Sequence, residues 1–147
     1  MSLFLGGTSS ANECHDYEEG SFTMSLSQGS NTSNSGRYVK IGTIVLAAGN
    51  VSLDNISSGD TVTINGLPFT ADGGGVGRSY NGSIRGYNCS NISGSGMRPT
   101  NSVIHGDDTN VKFGTFESAQ AWSMMAYNDF TSTNNSIRWT CVYKSND

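Results

Sequence analysis

Between Gly36 and Ala48 the chain carries its longest apolar-leaning run, set in a sequence dominated by Ser, Thr, Asn and Gly. Tyr38, Lys40, Ile44 and Leu46 fall on one parity; Val39, Ile41, Thr43 and Val45 fall on the other. The run is β-branched and aromatic, lacks a three-to-four-residue apolar stripe, and is too short for a membrane helix. It therefore reads as one long strand buried on much of both faces. Gly42 inside it marks a kink or a close backbone approach.

A chain built around such a strand must bury it against other strands, and the remaining pattern supplies them. Phe22, Met24 and Leu26 alternate with Ser and Thr. Val62 and Ile64 alternate before Gly66-Leu67-Pro68-Phe69, where Pro68 cannot donate to a ladder and marks a strand end or edge. Tyr80, Ile84 and Tyr87 outline a weaker strand, Val103-Ile104 another, and Val111 to Phe116 a further one. Ile137, Trp139, Cys141 and Tyr143 make one apolar face of a closing strand, which ties the C-terminus into a sheet. Helix competes only over 117–129, where Ala119, Ala121, Met124, Met125 and Ala126 favour it; the flanks and the alternation favour an extended segment.

The expectation is an all-β, antiparallel β-sandwich of about eight strands, jelly-roll-like, with an open barrel as the other architecture. Residues 1–15 form an extended N-terminal arm tipped by Leu3, Phe4 and Leu5, and 16–147 form a single domain. Three exposed apolar residues at an arm tip suit docking on a neighbour. The segment lacks the basic residues and apolar core of a signal peptide.

Composition narrows the function classes. The 147 residues suffice for one domain that buries roughly 68–70% of its unfolded surface. Only 35% are hydrophobic and 14% charged, yet a net charge of −4 and 10% aromatics separate the chain from disordered sequences. Arg37, Lys40, Arg78, Arg85, Arg98, Lys112, Arg138 and Lys144 are scattered singly, which argues against nucleic acid as a partner. No transmembrane segment is present, so no membrane partner is expected. Cys14, Cys89 and Cys141 lack metal or redox spacing. They read as free thiols of a reducing cytosol, or as one bridge with a spare or intermolecular thiol.

No catalytic constellation is expected. Gly73 to Ser79 departs from a phosphate loop: Asp72 stands at the first glycine, Arg78 replaces the lysine, and no helix follows. His105-Gly106-Asp107-Asp108 reads as turn chemistry before it reads as a metal site. Glu18 and Glu19 point to opposite faces of a strand and cannot act as a paired acid and base. Neither a metal nor a cofactor is expected. The Asn-x-Ser/Thr triplets, such as those at Asn50 and Asn81, follow from an Asn/Ser-rich chain and not from glycosylation.

Three stretches carry a resemblance. Asp16-Tyr17-Glu18-Glu19-Gly20-Ser21-Phe22-Thr23, Gly36-Arg37-Tyr38-Val39-Lys40-Ile41-Gly42 and Ile64-Asn65-Gly66-Leu67-Pro68-Phe69-Thr70-Ala71 resemble segments of one domain. That domain is the C-terminal domain of many bacteriophage tail-fibre and related virion proteins. The match covers the first half of the chain, and the lead-in Gly6 to Asn12 is similar to a fibre linker. The resemblance implies a β-sandwich that trimerises on a virion surface, made in the host cytoplasm. Asp16, Tyr17, Glu18, Glu19, Gly20, Tyr38, Lys40, Ile41, Gly42, Leu67, Pro68 and Phe69 would be its structural positions. Lys40, the one charge in its run, is expected at a wet strand end or paired with Asp16, Glu18 or Glu19.

In fibres a shaft precedes this domain, whereas here Met1 stands a few residues before it. The expectation is therefore a non-enzymatic head decoration (cement) protein, a homotrimer bound to the major capsid protein or another virion protein through Leu3, Phe4 and Leu5. The alternative is a tail-fibre or spike module recognising a host-surface glycan or protein. Tyr80, Tyr87, Trp122 and Tyr127 would then stack on the ligand, unless they belong to the core or a trimer interface.

Overall fold

The computed structural model describes residues 3–4, 13–14, 16–28, 34–53, 59–74, 78–87, 99–115, 123–127, 130 and 135–146, and side chains for all of these except 3–4, 13–14, 87 and 99–100. The described chain is antiparallel β-structure with no α-helix. The described residues form twelve strands: β1 (Leu3–Phe4), β2 (Glu13–Cys14), β3 (Tyr17–Thr23), β4 (Ser25–Leu26), β5 (Asn34–Ile41), β6 (Ile44–Leu53), β7 (Thr63–Asn65), β8 (Ser79–Tyr87), β9 (Pro99–His105), β10 (Asn110–Thr115), β11 (Ser123–Met124) and β12 (Asn135–Lys144). The extended reading of 117–129 holds at Ser123–Met124, which pairs with β10, and at Ala126, which bridges Thr61; Tyr127 begins a tight turn in which Phe130 N–H donates to its carbonyl.

The run from Gly36 to Ala48 is two strands and not one. Gly42-Thr43 is a two-residue hairpin turn, with Ile41 opposite Ile44 across it. Gly42 takes the positive φ of 58° that such a turn demands at its first position. An even-length turn carries the inward parity from Tyr38 and Lys40 to Val45 and Ala47. Both parities look apolar in sequence because the inward face changes parity at the turn. Val39, Ile41, Ile44 and Leu46 consequently share the outward face.

The main sheet runs β3-β5-β6-β12-β8-β9-β10-β7-β4. Its two ends, β3 and β4, are consecutive in the chain and separated only by Met24, so one bent strand closes the sheet on itself. A second corner lies in β8. Ser79–Gly82 pairs with β9, whereas Ser83–Tyr87 pairs with β12. The result is two layers joined by strands that switch sheets, a nearly closed barrel. Taking β3 and β4 as one strand leaves eight, in two successive Greek keys. The strand at β7 returns beside the first of a three-strand meander, and β12 returns beside the first of the next. This is the double-Greek-key plan of jelly rolls, closed at its edges.

The predicted alternation forms the core. Met24, Leu26, Val62, Ile64, Val111, Phe113, Ile137, Trp139, Cys141 and Tyr143 are all buried inside the barrel. Large rings are admitted by glycines directly opposite them. Gly20 faces Tyr38 and Gly36 faces Phe22 across β3–β5, and Gly49 faces Trp139 across β6–β12. A Cβ on Gly49 would lie 2.8 Å from the Trp139 indole, so the ring fills the space a side chain would need.

Four residues of the N-terminal stretch are described, Leu3–Phe4 and Glu13–Cys14. Leu3 pairs with Cys14 and Phe4 with Glu13, so the two segments make a small antiparallel ribbon of their own. Leu5 lies outside the described residues.

Candidate functional site

The three stretches of the sequence resemblance meet at one end of the barrel. There 66–72 crosses from β7 towards β8 and is tied down on both sides. Ala71 N–H donates to Asp108 O and Asp72 N–H to Lys144 O, while Asn146 N–H donates to Thr70 O. Phe69 packs edge-on against Tyr38, with ring centroids 5.2 Å apart. Lys40 Nζ stands 5.2 Å from the Phe69 centroid and 3.4 Å from Asp16 Oδ1, so the pairing expected for Lys40 is present. Leu67 is buried and Pro68 half-buried. The Tyr38 hydroxyl donates to Glu18, which holds the phenol above its ordinary pKa; desolvation adds to the rise. Tyr17 donates likewise to Glu19 at 2.8 Å. The motif residues thus build a structural joint between β3, β5 and the crossing segment.

The outward face of β5, β6 and β12 has two halves. In the first, Val39, Leu46 and Val142 lie directly opposite one another across three strands. Ile41 and Ile44 flank them across the hairpin. Leu46 is 45% exposed and Val142 is 52% exposed, and Ile41 and Ile44 are similarly open. This is a contiguous apolar stripe on a face that water wets.

The second half is a groove of about 640 Å³ lined by Arg37, Arg85 and Arg138 with small polar side chains between them. Arg138 and Arg85 are register partners on β12 and β8. Arg37 lies across Ala48 and Thr140 on the neighbouring strands. All three arginines are exposed. Sequence reading missed this grouping because the residues lie far apart in the chain; only the register of β5-β6-β12-β8 assembles them.

Of the aromatic residues singled out as ligand platforms, Tyr127 and Tyr80 sit away from the groove. Tyr127 is 1% exposed, and its hydroxyl lies 3.0 Å from Ser27 Oγ and receives Gln28 N–H, so no ring face is left for a ligand. Tyr80 is half-buried, donates to Asp72 O and packs edge-on against Tyr143. Tyr87 is the last residue of β8, and Trp122 lies outside the described residues. Both rings that are described serve the core, the competing role named for them.

The chemical motifs resolve as turn structure where they are described. His105 Nδ1 lies 3.0 Å from Ser79 Oγ. Asp107 takes a positive φ of 61° in the β9–β10 turn, and Asp108 pairs with Lys112. Asp72 accepts Gly74 N–H and Lys144 Nζ, each at 2.9 Å, and the Lys144 bond, then the Gly74 bond, hold its carboxyl below the usual range. Among the described residues no group of three or more His, Cys, Asp and Glu converges to hold a metal. His15 and Cys89 lie outside the described residues, as do the side chain of Cys14 and residues 75–77. Cys141 is a free thiol in the core, and burial pushes it up to about 11.

Fold and surface define an all-β protein of the double-Greek-key barrel class. No protein-family model, curated protein or solved structure matches the chain.

Proposed function

We propose that the chain is a non-enzymatic bacteriophage virion structural protein, a homotrimeric decoration protein that binds and stabilises the head shell. The observation that carries this reading is the apolar stripe of Val39, Ile41, Ile44, Leu46 and Val142 on the outward sheet face. Large apolar side chains in register across three adjacent strands are costly to leave in water. Each one fully buried in an interface returns about 1.5–3 kcal/mol. Three subunits also multiply weak contacts to a shell through effective concentration. The sequence resemblance supports the same reading, since its three stretches pack into one joint and do not scatter over the barrel.

Light scattering on the purified protein tests the trimer. Leu46→Asp and Val142→Asp should yield folded monomers, and a wild-type chain that is monomeric at all accessible concentrations would remove the stripe from the assembly role. Antibody labelling of purified particles of the encoding phage tests the location. Label distributed over the head supports decoration, and unlabelled particles overturn a virion role.

A second reading, a fibre or spike module that recognises a host-surface glycan or protein, is favoured by the groove along Arg37, Arg85 and Arg138. Label confined to the tail tip selects it.

A further inference from the structure

We infer that the groove on the outward face of β5, β6, β12 and β8 is a binding site for an acidic oligosaccharide, a polyhydroxylated chain bearing carboxylate or sulfate groups. The inference deepens the second reading by naming the ligand class of that groove. It rests on the groove itself and not on where the protein sits on a particle.

The charge of the groove suits an anion. The chain has net charge −4 and eight basic residues, of which Arg37, Arg85 and Arg138 line this single groove. Arg138 and Arg85 stand directly opposite each other on adjacent strands, an arrangement in which like charges repel. Among the described residues, the ion pairs fall on Lys40, Arg78, Lys112 and Lys144, and none falls on these three arginines. A fold that lets other basic residues pair while leaving three arginines unpaired side by side presents a field for an incoming anion. Arginine's planar fork suits carboxylate and sulfate oxygens, which it can bind bidentately.

Hydroxyls lie between the charges. Ser21, Ser35, Ser83 and Thr140 line the groove with hydroxyls, and none of the four has a side-chain hydrogen bond among the described residues. Rotatable hydroxyls are donors and acceptors together, which matches sugar hydroxyls. Ala48 and Gly49 keep the floor low between the arginines. At about 4.8 Å between neighbouring strands, Arg37 and Arg138 stand on strands roughly 10 Å apart, about the span of two sugar rings. The groove volume of about 640 Å³ falls within the usual range for ligand clefts.

An acidic peptide is the poorer occupant. A peptide strand gains affinity by pairing with an open sheet edge. Here β5, β6 and β12, the floor of the groove, each have a neighbour on both sides, so their main-chain groups are already used; among the described residues the Ser83–Tyr87 half of β8 pairs only with β12, and its other edge faces away from that floor. Among the described side chains the groove also contains no exposed large apolar one for a peptide anchor; those lie in the other half of the face.

Titration calorimetry at low ionic strength tests the site with four probes. These are oligogalacturonate as the carboxylated chain, a heparin hexasaccharide as the sulfated chain, neutral dextran oligomers, and oligothymidylate of matched charge. The expected result is binding of one or both acidic sugars, none of dextran, and weaker binding of oligothymidylate. Which acidic sugar binds more tightly distinguishes carboxylate from sulfate. Arg138→Ser and Arg85→Ser should each weaken binding about tenfold, the loss expected for one charge-assisted contact. Arg78→Ser, a basic residue outside the groove, should leave binding unchanged. Arg37→Gln, on a different strand, serves as a second probe if either serine variant fails to fold by circular dichroism.

Three outcomes would overturn the inference: no acidic sugar binds, oligothymidylate binds as tightly as the sugars, or Arg78→Ser weakens binding as much as the groove variants. The experiment reads the isolated protein, so failure here leaves the particle-labelling result free to support a fibre location.

Discussion

Lys40 lies beneath the ring of Phe69, its Nζ 5.2 Å from the centroid, while the same ammonium reaches Asp16 at 3.4 Å. The residue is only 7% exposed, so this charge has left most of its water. An ammonium in that position is tolerable because an aromatic face and a carboxylate replace part of its hydration. The relationship joins all three stretches of the sequence resemblance through contacts between side chains. It gives those residues a structural role that needs no ligand.

Lys40→Ala should therefore lower stability by about 1–2 kcal/mol in urea unfolding, from lost cation–π contact and lost packing of the stem. Lys40→Met keeps the stem and should lose less. An alanine variant as stable as wild type would show that the joint contributes nothing.

Two glycines should fail for different reasons. Gly42 has φ 58° and open space around its missing Cβ, so Gly42→Ala costs only backbone strain, about 1 kcal/mol, and Gly42→Asn recovers part of it. Gly82 sits at the β8 corner, where a Cβ would run into the Thr140 carbonyl. Gly82→Ala should cost about 1–3 kcal/mol by overpacking, with no rescue by asparagine. Thermal melts of the four variants separate the two mechanisms.

Cys141 should be silent to thiol reagents in the native protein and react only on unfolding, because its thiol is buried and held protonated. Burial raises it from 9.0 to about 11, so the native state keeps a proton that the unfolded chain gives up in between. Stability should accordingly fall between about pH 9 and pH 11. Cys141→Ala should flatten that part of the profile, measured as the difference between the two pH–stability curves. Native labelling at Cys141 at neutral pH would contradict the assignment.

Asp72 ties the crossing segment to the end of β12 through Lys144, with Arg78 at 3.7 Å. Its carboxyl is held below the ordinary 3.8, so the stability it contributes is present above that value and lost as pH falls through the lowered one. Asp72→Asn should lower the melting temperature at neutral pH, and the gap to wild type should close under acid. Its partners are about half exposed, so added salt should narrow the gap as well. A gap that persists unchanged at pH 2 would assign the effect to packing and not to charge.

The inward faces were legible residue by residue. The alternation at 22, 24 and 26, at 62 and 64, at 111 and 113, and at 137 to 143 matches the core. A period of two is imposed locally by the pleat, so a strand shows it before its neighbours are known. The hairpin at Gly42-Thr43 was not legible from the apolar pattern alone. Val39, Ile41, Ile44 and Leu46 continue one run across it, and only the positive φ at Gly42 reveals where the parity resets.

The grouping on the outer face was hidden more deeply. No local pattern links Arg37, Arg85 and Arg138, and taken singly each looks like an ordinary solvated charge. Likewise nothing near Val142 in sequence announces that Val39 and Leu46 stand beside it.

What this chain's sequence determined by itself was the strand content, the side of each strand that turns inward, and the residues of the joint around Lys40. The tertiary structure alone decided the bends at Met24 and Gly82, the closure they produce, and the division of the outer face into apolar and basic halves. Alternation is a property of one strand, whereas closure and surface grouping depend on which strands pair and in what register. That choice is made by burial summed over the whole barrel, between residues far apart in the chain.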